Sequence, residues 1–503
     1  MLAQGRESLG DVAYERHQPE QTLLYQLVEA HYPALVDQLA QQGKSLPDHV
    51  YRKFEAYLKC GRLEHGFLRV RCDTCHFERL VAFSCKKRGF CPSCGTRRMA
   101  ETAALLADDV FPDVPLRQWV ISFPFPLRYL FAAHPQAMGK VLGIVYRAIS
   151  THLIHKAGLQ LKDGATGAVT LIQRFGSALN LNIHFHILFL DGAYVYRDNR
   201  PPQFQRVRAP DKSELEDLVH LISQRAGRCL ERLGLLEQDA ESAWLELEPA
   251  DDTDAMPLIL GSSVSYRIAV GPQQGRKAFM IRTIRPIESP DPGLERVAKA
   301  NGFSLHAGVS CEGHQKHKRE RLCRYIARPA VAIPRLSLSS AGKVLYTMKK
   351  PYRDGTTQVA FDPVDFIARL AALVPKPRVN LTRFHGVLAP NHRWRGLITP
   401  AKRGRGVSIS SEEVGTPAER HAAMTWAQRL KRVFNIDIEV CGRCGGSVRV
   451  IACIEDQDVI DRILSHLRDQ EQGTSTLPLL LPPTRAPPAI LPLFAGANPQ
   501  TQR

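Results

Sequence analysis

Between Arg71 and Arg98 the chain reads RCDTCHFERLVAFSCKKRGFCPSCGTRR. Cys72-x2-Cys75 and Cys91-x2-Cys94 stand fifteen residues apart in this stretch. Each pair offers two thiolates on one tight turn. A tetrahedral metal joining the turns organises a segment too short to build its own hydrophobic core. The expected site is structural Zn2+ on Cys72, Cys75, Cys91 and Cys94. Gly95, next to the second pair, suits a position of positive φ. Cys60, Cys85 and His65 lie nearby, and any of them could replace one of the four. Buried inert thiols are the alternative. Cys441-x2-Cys444, followed by Gly445 and Gly446, is half of a further site, with Cys453 as its candidate third ligand.

The basic residues around the first cluster (Lys86, Lys87, Arg88, Arg97 and Arg98) fit either a DNA-binding module or a structural module with a solvated basic face. Net charge is +17, which favours a polyanionic partner. Nucleic acid comes first, although membrane-surface and merely soluble proteins share such a charge. A hydrophobic fraction of 44% and a charged fraction of 23% exclude a disordered chain. At 503 residues several domains are expected. The N-terminus, MLAQGRESLGDVAYERHQPE, has no apolar signal core, and prolines break the apolar run LPLLLPPTRAPPAILPLF. The expectation is a cytoplasmic protein with no membrane partner, whose cysteines are thiols or metal ligands.

Hydrophobic periodicity divides the chain. Residues 1–54 carry N-terminal helices and 55–110 the cysteine module. Residues 115–335 mix strands and helices, and 336–400 form a basic extension with a hairpin at Asp354-Gly355. Residues 401–424 read as a linker, 425–472 as a small CxxC module and 473–503 as a disordered tail. Strands are expected at WVISFPF, AVTLIQRF and NIHFHILFLDGAY, and again near Ser265–Val270 and Phe279–Thr283.

NIHFHILFLDG holds two histidines within an apolar run. A strand alternates faces, so His184 and His186 point the same way and Phe185 the other. Their Cβ atoms then lie about 6.5–7 Å apart, close enough for both rings to reach one metal. A satisfied structural pair is the bland alternative. Residues 316–328 (KHKRERLCRYIAR) suit a helix that Pro329 stops. Lys318, Arg321, Tyr325 and Arg328 share one face of it. A tyrosine among cations suits attack on a phosphodiester, because cations favour the phenolate and offset charge on the phosphorane. An ordinary basic solvent face gives the same stripe. Taken together, a divalent metal on the histidines and a Tyr325 nucleophile define cleavage through a 5′-phosphotyrosine, leaving a free 3′-OH.

Six stretches in this order (FSCKKRGFCPSCGTRRMAE, WVISFPFPLRYL, LIQRFGSALNLNIHFHILFLDG, LCRYIARPA, RFHGVLAPNHRWR and CGRCGGSVRVIACIE) span roughly residues 55–470. On them the chain resembles HUH single-strand transposases of the rolling-circle type, in particular the insertion-sequence common-region (ISCR) group. The resemblance implies an α+β fold: an HUH endonuclease domain with an antiparallel sheet, flanking helices and the histidine pair on a central strand. The resemblance also implies a transposase zinc-binding module ahead of that domain. It further implies His184 and His186 as ligands of Mg2+ or Mn2+ and Tyr325 as the nucleophile, with Arg321 and Arg328 beside it. Single-stranded DNA at element ends and target is the implied partner.

Lys318, Arg97, Arg98, Arg393 and Arg395 are the DNA-contact candidates. Gln173 on the preceding strand is the favoured third ligand, because an amide oxygen suits Mg2+ or Mn2+. His306 and Asp191 are its rivals, Asp191 having the wrong parity for that face. Some relatives carry a second tyrosine one turn after the first, where this chain has Pro329. One tyrosine must then complete strand transfer with a 3′-OH, a second protomer of a homo-oligomer, or another tyrosine such as Tyr346 or Tyr352. A plasmid or phage replication initiator, a non-catalytic zinc-finger DNA-binding protein and a water-using phosphohydrolase are the competing readings.

Overall fold

Six strands form the central sheet, every neighbouring pair antiparallel. In chain order they are β3 (Leu116–Ser122), β4 (Gly167–Phe175), β5 (Leu181–Leu190), β6 (Val297–Ala300), β7 (Phe303–Cys311) and β8 (Thr382–Gly386). Across the sheet the order is β6-β7-β3-β5-β4-β8. The histidine-bearing β5 is therefore interior, paired with β3 on one side and β4 on the other. Two further strands, β1 (Phe67–Cys72) and β2 (Glu78–Ala82), make an N-terminal hairpin. This computed structural model describes residues 18–196, 201–239, 243–246, 251–286, 296–402 and 439–473, with the dipeptides 12–13 and 436–437. The expected linker beyond residue 402 and the expected tail beyond residue 473 lie outside the described residues.

Alternation along β5 divides its side chains between two cores. Ile183, Phe185, Ile187 and Phe189 face one way, into a core shared with Trp119 and Ile121. Helices α4 (Phe125–Ala133), α5 (Pro135–Lys156), α6 (Lys212–Glu231) and α7 (Met256–Val264) cover that face. Leu188 and Leu190 face the other way, into a second core with Leu116, Val169 and Leu171. That face is covered by α3 (Pro92–Ala104), its π-helical continuation Leu105–Val110, and α8 (Lys316–Ile326). His184 and His186 continue this second face past the end of its apolar part.

Local sequence accounts for the helices. Thr22 caps α1 (Leu23–Gln41) by accepting the amide of Tyr25. Asp211 and Glu214 make a reciprocal capping box at α6. Pro92 starts α3 where its missing N–H costs nothing. Asp354-Gly355 turns the hairpin between Val344–Thr347 and Thr356–Phe361, with φ +85° at Gly355. The segment expected as a strand near Ser265–Val270 is not one. Helix α7 runs to Val264, and only a single bridge, Arg267 to Lys277, follows. Its apolar residues Ile268, Ala269 and Val270 are buried without joining a sheet. Among the described residues, no helix is long and apolar enough to cross a membrane.

Asp191, at the end of β5, accepts two bonds from Arg117, at 2.9 Å from Nε and 2.7 Å from Nη2. Arg117 also donates to the Ala307 carbonyl at 3.1 Å. This buried pair ties β3, β5 and β7 together and removes Asp191 from candidacy as a metal ligand. Breaking it leaves an uncompensated buried guanidinium. Asp191→Ala is expected to cost about 3–5 kcal/mol in denaturant unfolding, whereas Arg117→Met with Asp191→Leu recovers most of that. Equal losses in the single and double variants would contradict the assignment.

Candidate active site and cysteine clusters

The sheet register gathers the site. His184 pairs with Gln173 of β4 on one side and Ser122 of β3 on the other. His186 pairs with Leu171 and Val120, and Val120 with His306 of β7. Directly opposed residues share a face, so Gln173, His184, His186 and His306 all project to the α8 side. The two imidazole Nε2 atoms are 3.1 Å apart. The Asn182 carbonyl lies 2.9 Å from His184 Nδ1, and Gln118 Nε2 lies 2.6 Å from His186 Nδ1. Each ring is thus oriented through the nitrogen that faces away from its neighbour. Desolvation drives both toward the neutral form. It pushes His184 down to about 4 and His186 well below the ordinary histidine value. His184 donates from Nδ1 to the Asn182 carbonyl and so leaves Nε2 free for a metal, and His186 does the same when the Gln118 side chain turns its amide oxygen to Nδ1.

Gln173 is buried and uses only half of its amide. Its Nε2 donates to the Ile326 carbonyl at 2.6 Å, at the end of α8, while Oε1 is buried with no partner among the described residues. An orphaned amide oxygen on the histidine face fits a hard divalent cation. The donor set of two imidazoles and one amide oxygen fits a divalent cation, and several metals suit it. His306 is also on this face, and its charge would further disfavour a protonated His186. Gly308 leaves room for its ring, since a Cβ there would lie 2.7 Å from His306 Nε2.

Helix α8 ends at Ile326, two residues before Arg328. Tyr325 stands edge-on over His186, with ring centroids 6.1 Å apart and planes at 88°. Arg328 folds back over it. Its guanidinium carbon is 4.3 Å from the tyrosine ring, and Nη1 donates to the Tyr325 carbonyl at 2.9 Å. Lys349 approaches the ring to 5.2 Å from the loop after Val344–Thr347. Lys349 and the orienting Gln118 escape sequence reasoning, because each comes from an element that no motif links to the helix. The basic run Lys349-Lys350 was the available signal. Arg321 and Lys318 are exposed, and neither has a described contact with Tyr325. Tyr346 is buried in its strand, and Tyr352 accepts from Ser177 at 3.2 Å, so neither ring meets the histidines among the described residues.

The DNA-contact candidates divide. Arg97 binds Glu101 at 3.1 Å, and Arg98 donates to the Lys86 carbonyl at 2.9 Å. Arg395 bonds the Leu388 carbonyl and lies over Phe384. Arg393 is exposed and lies 5.0 Å from the Trp394 ring.

The expected cysteine set does not form. Cys91 and Cys94 gather with Cys60 and Cys85, while Cys72 and Cys75 gather with Cys441 and Cys444. The hairpin explains the exchange. Cys72 and Cys75 sit at its tip, and strand β1 carries them roughly 20 Å from its base. Cys60 and Cys85 flank that base, where the Gly61 amide bonds the Phe83 carbonyl at 2.8 Å. In the first cluster the sulfurs are 3.8 Å (Cys60–Cys91), 3.7 Å (Cys60–Cys94) and 3.3 Å (Cys85–Cys94) apart. Those separations approach the roughly 3.8 Å edge of a tetrahedral zinc–thiolate site. Cys453 is exposed and belongs to neither cluster. Gly95 has no turn role. It lies inside α3, where a Cβ would meet Pro329 Cβ at 2.7 Å, so its lack of a side chain lets α3 approach the end of α8.

Gln173 thus also holds the tyrosine helix. Gln173→Leu strands the buried Ile326 carbonyl and is expected to cost about 1–3 kcal/mol in denaturant unfolding. An unchanged midpoint would show that the 2.6 Å bond contributes nothing.

Two family models match the chain. The one described as "Transposase zinc-binding domain" covers residues 27–123, and the one described as "Putative transposase" covers residues 167–395. Comparison with curated proteins and with solved structures gave no match. The first match contains the complete Cys60, Cys85, Cys91 and Cys94 cluster, and the second contains His184, His186, Gln173 and Tyr325. With a zinc-binding module leading into a transposase domain, the chain belongs to the IS91 family of insertion-sequence transposases.

Proposed function

We propose that this transposase cuts and rejoins single-stranded DNA through a covalent bond between Tyr325 and the 5′-phosphate, as in rolling-circle transposition. The observation that carries the reading is Tyr325 standing 6.1 Å over His186, between two cations and on the ligand face of the sheet. His184, His186 and Gln173 would hold the divalent cation. Such a cation supplies Lewis-acid polarisation of the scissile phosphate.

The protein's own groups perform the rest. The Tyr325 oxygen attacks phosphorus, its proton passes to solvent, and the phosphorus–O3′ bond breaks. The departing 3′-oxygen takes up a proton and remains as a 3′-OH. Attack of a 3′-OH on the tyrosyl ester reverses these changes, so the ester conserves the bond and no nucleotide hydrolysis is needed. Arg328 and Lys349 lie where they can offset charge that grows on the phosphoryl oxygens. Gln118 and the Asn182 carbonyl hold the rings, so their roles are positioning. Lys318, Arg321 and Arg393 are exposed and available to the DNA backbone.

A denaturing gel of protein incubated with Mn2+ and a labelled single-stranded oligonucleotide library tests the reading. A covalent band is expected that requires metal and disappears in Tyr325→Phe and His184→Ala. A band that persists in Tyr325→Phe refutes this tyrosine, and cleavage without an adduct assigns water as the nucleophile. The pH response is a separate check. A lowered histidine pKa leaves no proton competing for the ring nitrogens until the pH falls toward about 4. Mn2+ affinity is therefore expected to be flat between about pH 6 and 8, and a tenfold decline toward the lower end would contradict it.

A further inference from the structure

The second cysteine cluster draws its ligands from the two ends of the described chain. Cys72 Sγ lies 3.5 Å from Cys444 Sγ, and Cys75 Sγ lies 3.6 Å from Cys441 Sγ. All four sulfurs fall within 4.8 Å of one another, and none is in a disulfide. Four thiols at this spacing cannot ionise together unless a cation lies between them. Four converging sulfurs in a closed set suit a structural tetrahedral ion of the zinc type.

Both turns have the form that such a site needs. The Cys75 amide points at Cys72 Sγ at 3.5 Å, and His76 takes a positive φ of 56°. On the other turn the Gly445 amide bonds the Cys441 carbonyl at 2.9 Å, with φ +73° at Gly445. Gly446 is the contact point between them. A Cβ there would lie 2.3 Å from Thr74 Oγ1 and 3.1 Å from Cys72 Sγ, so only glycine permits this approach.

The surroundings are built as one unit. The Asp73 amide bonds the Ser447 carbonyl at 2.9 Å, and Arg449 pairs with Asp73 at 2.8 Å. Arg443 lies 3.8 Å from the Phe77 ring. Strand β9 (Val448–Ile454) adds to the hairpin beside β1, pairing from Cys72↔Val448 to Phe67↔Ile454 with one bulge opposite Arg69 and Val70. The zinc-binding family match ends at residue 123 and so includes only half of these ligands.

We propose that Cys72, Cys75, Cys441 and Cys444 bind a second Zn2+, which clasps the C-terminal segment 439–473 onto the N-terminal zinc module. The clasp is independent of the tyrosine chemistry. The ion reinforces an interface made by strand pairing and the buried Ile460, in which Val450 and Ile451 of the added strand stay exposed.

Metal analysis of the purified full-length chain is expected to find two zinc ions per chain, and one ion per chain overturns the proposal. Cys441→Ser with Cys444→Ser is expected to retain one, and Cys453→Ser two. Alkylation mapping gives an internal control. In the double variant Cys72 and Cys75 should become labelled, while Cys60, Cys85, Cys91 and Cys94 stay protected. Continued protection of Cys72 and Cys75 overturns the clasp. In the unmodified protein, graded chelation should expose Cys72, Cys75, Cys441 and Cys444 as one set. Labelling of Cys441 and Cys444 before any metal is removed overturns it as well, even if the variant does not fold.

Discussion

A tyrosine can serve a metal site only if its helix is held at a fixed height above the ligands. On the proposed reading that requirement falls on α8, which is tied at both ends. Its C-terminal carbonyl, on Ile326, is taken by Gln173, itself on the ligand face of the sheet. At the other end Arg319, buried in the second core, donates to the Pro112 carbonyl at 3.0 Å and to Asp113 at 2.9 Å. Leu322, Cys323 and Ile326 fill the space between. Each of these contacts limits how far Tyr325 can move from His186, and the position of the zinc module follows from the same docking.

The route from zinc to tyrosine is short. Cys91 caps α3 and Cys94 lies in its first turn, and α3 packs on α8 through the second core. A metal-bound turn therefore fixes the start of the helix on which the tyrosine helix rests. The sheet separates duties between its faces. One face is closed by four helices and gives rigidity, while the other is apolar at one end and polar at the other. Burial of the polar end is the main force that keeps the imidazoles neutral, and the nearby Arg328 charge acts in the same direction.

Much of this was legible in the sequence, because it depends on short-range periodicity. Strand parity put His184 and His186 on one face, and Pro329 marked the end of the tyrosine helix. What failed to show was whatever depends on distant pairing. The two neighbouring CxxC pairs do not share a cluster, because a hairpin carries Cys72 and Cys75 away from Cys91 and Cys94 and toward residues more than 360 positions later. Lys349 and Gln118 reach the site through sheet and loop geometry that no motif encodes. Arg321 lies on the tyrosine's stripe by helical spacing, but the stripe turns to solvent one turn before the ring meets His186.

The contact between Gly95 and Pro329 gives position 329 two incompatible claims. One helical turn after Tyr325 is where a second nucleophile would stand, yet here the proline ring fills the gap left by a glycine on the neighbouring helix. A tyrosine introduced at 329 would have to push α3 away and so loosen the support beneath the first tyrosine. On the proposed reading, the number of nucleophiles and the precise placement of Tyr325 therefore trade against each other at a single residue. An engineer seeking a two-tyrosine version would have to redesign the interface of α3 and α8 before the tyrosine helix itself.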